Sequence, residues 1–449
     1  MLIQKPKKNL YIGILLALIN NVHAENINSK LRSLLKKQDV TSVPVPTQQN
    51  PAMVELGQSL FFDKELSGRR NISCGTCHHP SLGSADAQSQ SRAQGAIGLG
   101  PSRRQDGNER FDFLPRNALS VWNRGVPGWD VMFWDGRLSG NPQVGFTSPA
   151  GSNTPQNFDN VLAAFTLFPI TPDEEMRGFP GQADVFGKPN ELANLTDDDF
   201  PEIWELISAR ITNNEGYTQL LENAFPEKAR EDIDMADLSA ATGAFMTEAF
   251  TALNSPFDRF LAGENSAMSF SAKKGALLFY GKANCSACHS GALQTDFDFH
   301  NIAAPQVGTG RAQFAPLDIG RGAITGLVDD KFKFRTPSLR NIELEAPYFH
   351  NGAYAKLEDA VRHHLDPETA LENYDDSQVA FELRGTYQSQ VNGILLNTMS
   401  DKLEVQGKPL SEKEMGQLMD FLSALTDPGS LNLNGLVPDS VASGLPIPD

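Results

Sequence analysis

The sequence predicts a mainly α-helical protein in which two similar units follow one another. Three observations carry this. All four cysteines fall in two Cys-x-x-Cys-His pentads, residues 74–78 and 285–289. Each pentad follows the same pattern, Gly-x-x-Leu-aromatic-aromatic: GQSLFF from Gly57 and GALLFY from Gly275. Apolar residues elsewhere recur at helical spacing, and strand signals are sparse.

In each hexapeptide the glycine and the first aromatic lie one helical turn apart, so each pentad follows a helix with the same face. A second helix is predicted over 233–253. Near the C-terminus Ser411 and Glu414 form a capping box, and Met415, Leu418, Leu422 and Leu425 then recur at helical spacing, a closing helix for the second unit. The Pro/Gly/Asn-rich stretch 428–449 is expected to run as an extended tail over the surface.

The first 24 residues read as an export signal. Lys5, Lys7 and Lys8 precede an apolar run from Leu10 to Ile19, and Val-His-Ala precedes Glu25. A run of about 10 apolar residues is too short for a bilayer, which needs roughly 20. Cleavage is expected after Ala24, giving a periplasmic protein without stable membrane insertion. Losing three lysines takes the net charge from −17 to −20, with 55 acidic residues in the mature chain. That acidity argues against a nucleic-acid partner and would steer basic proteins at low salt. Pro and Gly make up 65 of 449 residues, so long connecting loops are expected. Length suggests two or three domains.

An exported protein can pair cysteines in disulfides, but here each pair is followed directly by His. Cys-x-x-Cys-His reads as c-type heme attachment: two thiols meet the two vinyl groups of one porphyrin, and the adjacent imidazole is the iron's proximal ligand. A thioredoxin-like pair does not need the His. A zinc site would have to join pairs 211 residues apart and leave an imidazole over at each. Two covalent hemes are therefore expected, on Cys74, Cys77 and His78 and on Cys285, Cys288 and His289. The chain divides into the signal (1–24), an N-terminal heme domain (25–260), a C-terminal heme domain (261–427) and the tail (428–449), the two domains being cytochrome c-like.

With the pentads in place, further motifs resemble the bacterial diheme cytochrome c peroxidases and the MauG-like maturation enzymes. They are RNALSVWN (116–123), FWDGR (133–137), ITPDEEM (170–176), FRTPSLRN (334–341), APYFHNG (346–352) and LEDAVRHH (357–364). The resemblance covers most of the mature chain. It implies that the N-terminal heme meets hydrogen peroxide and the C-terminal heme stores or relays electrons. It implies that Trp134 in FWDGR relays electrons between them, where composition alone would give a core aromatic. Glu175 matches the catalytic glutamate, which takes a proton from the near peroxide oxygen and delivers it to the far one. The plain alternative is a helix start, with Thr171 as N-cap, Pro172 at the first helical position and Asp173, Glu174 and Glu175 as an acidic first turn. The resemblance also implies a calcium ion held by the Asn117 side chain and the carbonyls of Glu345 and Pro347.

Two departures from the family pattern matter. Classical members carry a distal His shortly after the first pentad; residues 80–116 contain none, and Gln94 stands near the expected place. Heme 1 is therefore expected to be open without prior reduction. His79 is too close to the proximal ligand to cross, and reads as solvated. The second departure concerns heme 2. Its sixth ligand in the family is Met or Tyr, 14 residues after the His of PYFHNG; from His350 that step lands on His364. Leu357, Val361 and His364 share an apolar helix face, while His363 is rotated toward Lys356. Met399 is the fallback ligand. Bis-imidazole ligation lowers the potential of heme 2 relative to His/Met. His300 and His350 are expected near heme 2 as hydrogen-bonding groups.

The expected activity is peroxide-driven oxidation through a high-valent iron state shared between the hemes. The substrate is an aromatic residue of a partner protein, in the MauG-like manner. The alternatives are a peroxide-detoxifying cytochrome c peroxidase fed by a small cytochrome or copper protein, and a diheme carrier without catalysis.

Overall fold

The structure is a computed structural model that describes residues 26–400 and 409–447; the expected signal and its cleavage site lie outside the described residues. Its principal helices are α1 (residues 26–37), α2 (Pro51–Phe62), α3 (Met235–Ala249), α4 (Phe270–Leu277), α5 (Leu357–Leu365) and α6 (Glu412–Ser423). Their ends follow from local chemistry. Asn50 accepts from the Ala52 amide ahead of Pro51, Asp234 and Asp237 form a capping box, and so do Ser411 and Glu414. Residues 278–282 continue α4 as a π turn.

The two Gly-x-x-Leu repeats do the same job in both halves. Gly57 of α2 packs on α3: a Cβ there would lie 1.9 Å from the Ala241 carbonyl oxygen. Gly275 of α4 packs on α6, where a Cβ would lie 1.8 Å from the Gln417 carbonyl oxygen. One turn on, Phe61 meets Phe245 at 5.3 Å between ring centroids, and Phe279 meets Phe421 at 5.1 Å. Only glycine permits so close a crossing, and the aromatic pair fills the wedge beside it. Each fully buried ring contributes about 1.5–3 kcal/mol.

Two main hydrophobic clusters form around these crossings. They do not follow the chain division at its ends. Leu31 and Leu35 of α1 pack in the second cluster with Phe257 and Phe260, so the expected boundary at 260 falls inside the helix Pro256–Leu261. The C-terminal stretch, expected as a surface tail, crosses back to the first cluster. It buries Val441 there, and Ser443 Oγ donates to Asp63 at 2.7 Å. Strand is confined, among the described residues, to three small antiparallel sheets. One of them matters for the site: strands 131–132 and 138–141 pair and hold residues 133–137 at their turn.

Candidate functional site

Both pentads adopt the same turn. The His78 amide donates to the Cys74 carbonyl at 2.9 Å, and the His289 amide to the Cys285 carbonyl at 3.0 Å. Ring orientation is matched as well. Nδ1 of His78 faces the Ser84 carbonyl at 3.1 Å, and Nδ1 of His289 faces the Gln294 carbonyl at 3.2 Å. A carbonyl only accepts, so Nδ1 carries the proton and Nε2 the lone pair, the tautomer a metal needs. All four cysteines are free thiols, standing where the sulfurs of a heme-bound protein would be thioethers. Burial pushes the Cys74 and Cys285 thiols up to about 12.

The second pentad opens onto a largely apolar cavity that also takes in His364, His300, His350, Trp134 and Arg335. His364 stands opposite His289, with ring centroids 6.4 Å apart and planes at 63°. Two metal–nitrogen bonds of about 2 Å, with each centroid roughly 1 Å behind its nitrogen, span about 6 Å. Nδ1 of His364 bonds the Ala360 carbonyl at 2.8 Å, so its Nε2 too is the basic nitrogen. Arg335 is 1% exposed, and its Nη2 has no hydrogen-bond partner. A buried cationic N–H of this kind fits a heme carboxylate. The cavity therefore fits a heme in ligand spacing and in charge.

The other histidines are settled by packing. Met399 packs elsewhere, beside Leu371 and Leu395. His350 lies flat on Phe334 at 3.6 Å, with Nε2 buried and without a partner. His300 bonds Asp296 at 3.0 Å; burial opposes its charge, but Asp296 and Cys288 outweigh this and raise it to about 9. Cys288, Asp296 and His300 lie close enough to hold a metal ion, but the Cys288 sulfur belongs to the pentad. Two expectations are corrected here. His79 is buried rather than solvated, because its Nδ1 accepts from the Ser81 amide and caps a short turn. His363 is fully buried rather than turned out beside Lys356, held by Tyr354 and the Ile302 carbonyl.

The first pentad meets a different set of groups. Residues 173–177 form a π turn that starts at Pro172, and Thr171 does not cap it; its hydroxyl donates back to the Phe168 carbonyl. The helix-start account of the acidic triplet therefore loses its cap. Glu175 lies within electrostatic reach of the Cys74 and Cys77 sulfurs. Burial pushes its carboxyl up to about 7, against the pull of Arg137. Glu174 is raised to about 8 by burial and by its hydrogen bond with Asp173. Gln94 is fully buried beside this turn. Its amide N–H donates to the Glu174 carbonyl at 3.2 Å and its Nε2 to the Met176 carbonyl at 3.0 Å, while its Oε1 has no partner.

Trp134 joins the two regions. Its indole N–H donates to the Asn117 carbonyl at 3.1 Å, and its own carbonyl accepts from the Arg335 amide at 2.8 Å. The adjacent Asp135 is fully buried among Arg116, Arg137 and Arg311. Burial alone would raise its carboxyl; the three guanidinium groups hold it far below the usual range. Arg116 also binds Asp318 at 2.6 Å, so the FWDGR turn is clamped from both halves of the chain. Sequence reasoning did not single out Arg137 or Arg335, although both sit inside motifs it quoted. Of the expected calcium positions, Asn117 donates from its Nδ2 to the Gln88 carbonyl at 2.8 Å. Gln88 and Pro347 line one cleft, and the Glu345 carboxyl is raised to about 7 by burial, with Ser120, Arg124 and Arg335 opposing.

Comparison with known proteins adds the following. The family model described as Di-haem cytochrome c peroxidase matches residues 51–266. The methylamine utilization protein MauG of Methylorubrum extorquens is 31% identical over 337 residues, covering 75% of this chain and 74% of that protein. Cytochrome c551 peroxidase of Pseudomonas aeruginosa is 30% identical over 322 residues, covering 71% and 72%. Among solved structures, a MauG-like protein associated with microbial copper homeostasis aligns with a TM-score of 0.60 at 24% identity, over 90% of this chain and 97% of that one. The diheme peroxidase BthA from Burkholderia thailandensis aligns with a TM-score of 0.53 at 20% identity, over 85% and 88%. At those identities the structural matches speak for the fold alone. Among the described residues, no helix is long and apolar enough to cross a membrane.

Proposed function

The chain belongs to the diheme cytochrome c peroxidase and MauG family, and from that premise we propose that it is a periplasmic enzyme that uses hydrogen peroxide to oxidise a tryptophan or tyrosine of a partner protein. Family membership makes it a diheme peroxidase-type oxidoreductase, with two c-type hemes and with peroxide as oxidant. In this reading two cytochrome c-like domains lie in tandem. Cys74, Cys77 and His78 hold heme 1; Cys285, Cys288, His289 and His364 hold heme 2. When bound, the hemes would supply the redox chemistry, the two electrons that with two protons reduce peroxide to two waters.

The remaining work falls to side chains. Glu175, ionised, takes the proton from the near peroxide oxygen and returns it to the far one, which then departs as water. An acid strength near neutrality suits both halves of that transfer. Gln94 fills the place of a distal ligand but offers an amide oxygen, so the approach to heme 1 stays free. Trp134, clamped between the two regions, is the electron path. Asn117, with the carbonyls of Glu345 and Pro347, would hold a calcium ion.

The observation that carries the proposal is the asymmetry between the two sites. An imidazole faces His289 at 6.4 Å, while residues 80–116 after the first pentad contain no histidine and the turn at 173–177 supplies a carboxyl. Two imidazoles favour the higher iron state, which suits an enzyme that waits, oxidised, for a large and slow substrate. The second reading is a detoxifying peroxidase fed by a small cytochrome or copper protein; the acidic charge balance favours it, since it would steer a basic donor.

The test adds peroxide to the ferric protein with no donor, in the presence of co-purifying or neighbour-encoded proteins. Mass spectrometry should find an oxidised tryptophan or tyrosine in one of them. Fast turnover with reduced cytochrome c, and no modified partner, would replace the proposal with the second reading.

A further inference from the structure

Beside the second cavity lies a tyrosine–histidine pair that the proposed function does not use. Tyr354 is 4% exposed. Its hydroxyl and Nδ1 of His363 are 2.9 Å apart, and Nε2 of His363 is 2.9 Å from the Ile302 carbonyl. The carbonyl can only accept, so Nε2 carries the proton and Nδ1 carries the lone pair. Tyr354 is therefore the donor in its bond, and the acceptor is a basic nitrogen. Phe349, which lines the cavity, bridges the pair to the metal site: its ring is 5.4 Å from His364 and 5.1 Å from Tyr354.

Other tyrosines are placed differently. Tyr280 donates to the Gln294 amide oxygen, Tyr374 to the Ala353 carbonyl and Tyr387 to the Leu371 carbonyl, none of which can keep a proton. Tyr217 donates to Asp63, but its ring packs in the first cluster, away from this cavity. Among the described tyrosines only Tyr354 donates to an imidazole.

The distinction matters for oxidation. A buried phenol that loses an electron alone becomes a buried cation, which the apolar interior strongly disfavours. A phenol bonded to an unprotonated imidazole nitrogen can release its proton along the bond as the electron leaves, so that the positive charge moves from the phenol ring to the imidazole.

We propose that Tyr354, through its hydrogen bond to His363, is a one-electron donor to the heme 2 site. This rests on a heme occupying that cavity and not on which partner is oxidised. The balance is as follows. Peroxide takes up two electrons and two protons and leaves as two waters. One of those electrons would come from Tyr354 through a heme held by His289 and His364, the second from the hemes themselves, and both protons from solvent. The O–H bond of Tyr354 breaks, its proton forms a bond to Nδ1 of His363, and a neutral tyrosyl radical remains. When an outside donor returns the electron, the proton returns with it. The pair thus gives an oxidising equivalent a harmless place to wait when no partner is bound.

The experiment treats the ferric two-heme protein with one equivalent of hydrogen peroxide, without donor, and records electron paramagnetic resonance on frozen samples. A tyrosyl signal is expected, narrowed by ring-deuterated tyrosine and lost in Tyr354→Phe with heme content and resting absorption unchanged. His363→Gln, which leaves the phenol in place, should weaken it. The wild-type protein also decides without any variant: exchange into D2O should remove a proton coupling, the one on His363 next to the phenolic oxygen. A signal that survives Tyr354→Phe, that responds to deuterated tryptophan instead, or that shows no exchangeable coupling overturns the inference. Partner oxidation that persists without the radical would leave the proposed function standing.

Discussion

The two pentad sites are built alike on one side and unlike on the other. On the proximal side each has the same His-to-Cys turn, the same Nδ1–carbonyl bond and the same glycine crossing beneath it. Beyond that, Glu175, on the turn that Gln94 braces, lies within electrostatic reach of the first pentad's sulfurs, and His364 of α5 faces His289 at the second. The shared half is what attaching a heme requires. In the proposed function the differing half would decide whether each heme is open or closed, and hence which site meets peroxide. Duplicating a cofactor mount thus leaves two chemistries to be chosen by a few distal groups.

The largest effects come from removing one mount at a time. Cys74→Ser with Cys77→Ser should lower the mass of the denatured protein by one heme and abolish reaction with peroxide. Cys285→Ser with Cys288→Ser should lower the mass equally but spare peroxide binding at the first site. Equal loss of peroxide reactivity in both double variants would erase the division of labour.

Glu175→Gln keeps shape and removes the acid–base function, so peroxide reduction should slow by about 10²-fold or more. Sign follows from role: a base must be ionised, and burial has raised this carboxyl to about 7. The wild-type rate should therefore fall as pH drops through about 7, and the variant's profile should be flat there. If Asp173→Asn or Glu174→Gln does the damage instead, the catalytic carboxyl is one of its neighbours.

His364→Ala should convert the second heme from low-spin six-coordinate to a mixed or high-spin form, and leave the first unchanged. Met399→Leu should change neither spectrum. A low-spin signal that persists without His364 would mean that another group closes the second site.

The smallest expected effect concerns the ground between the sites. Chelation of calcium, or Asn117→Ala, should slow electron exchange between the hemes while each keeps its own ligands. Spectra and exchange kinetics that ignore both treatments would remove the ion from the proposal.

Much of this was legible because it is local or covalent. A Cys-x-x-Cys-His pentad specifies its cofactor within five residues, and the Gly-to-aromatic spacing from Gly57 and Gly275 marked the helix that precedes each pentad. Helix periodicity placed His364 on an apolar face from its spacing to Leu357 and Val361, and the cavity lies on that face. What failed depended on partners remote in sequence. His363 read as an outward residue because α5 alone does not reveal Tyr354 and Ile302 behind it. His79 read as solvated because the pentad alone does not reveal the ring of Phe62, on α2, packed against it. The tail looked like a surface segment, since nothing local tells Val441 that a core far from it in sequence has room.

The sequence by itself therefore determined the two heme mounts and the helices beneath them, whose chemistry is completed within one or two turns. The tertiary structure alone decided the environments: the raised carboxyl of Glu175, the guanidinium clamp on Asp135, and the pairing of His363 with Tyr354. Burial and electrostatics depend on every group within several ångströms, and those groups come from distant parts of the chain.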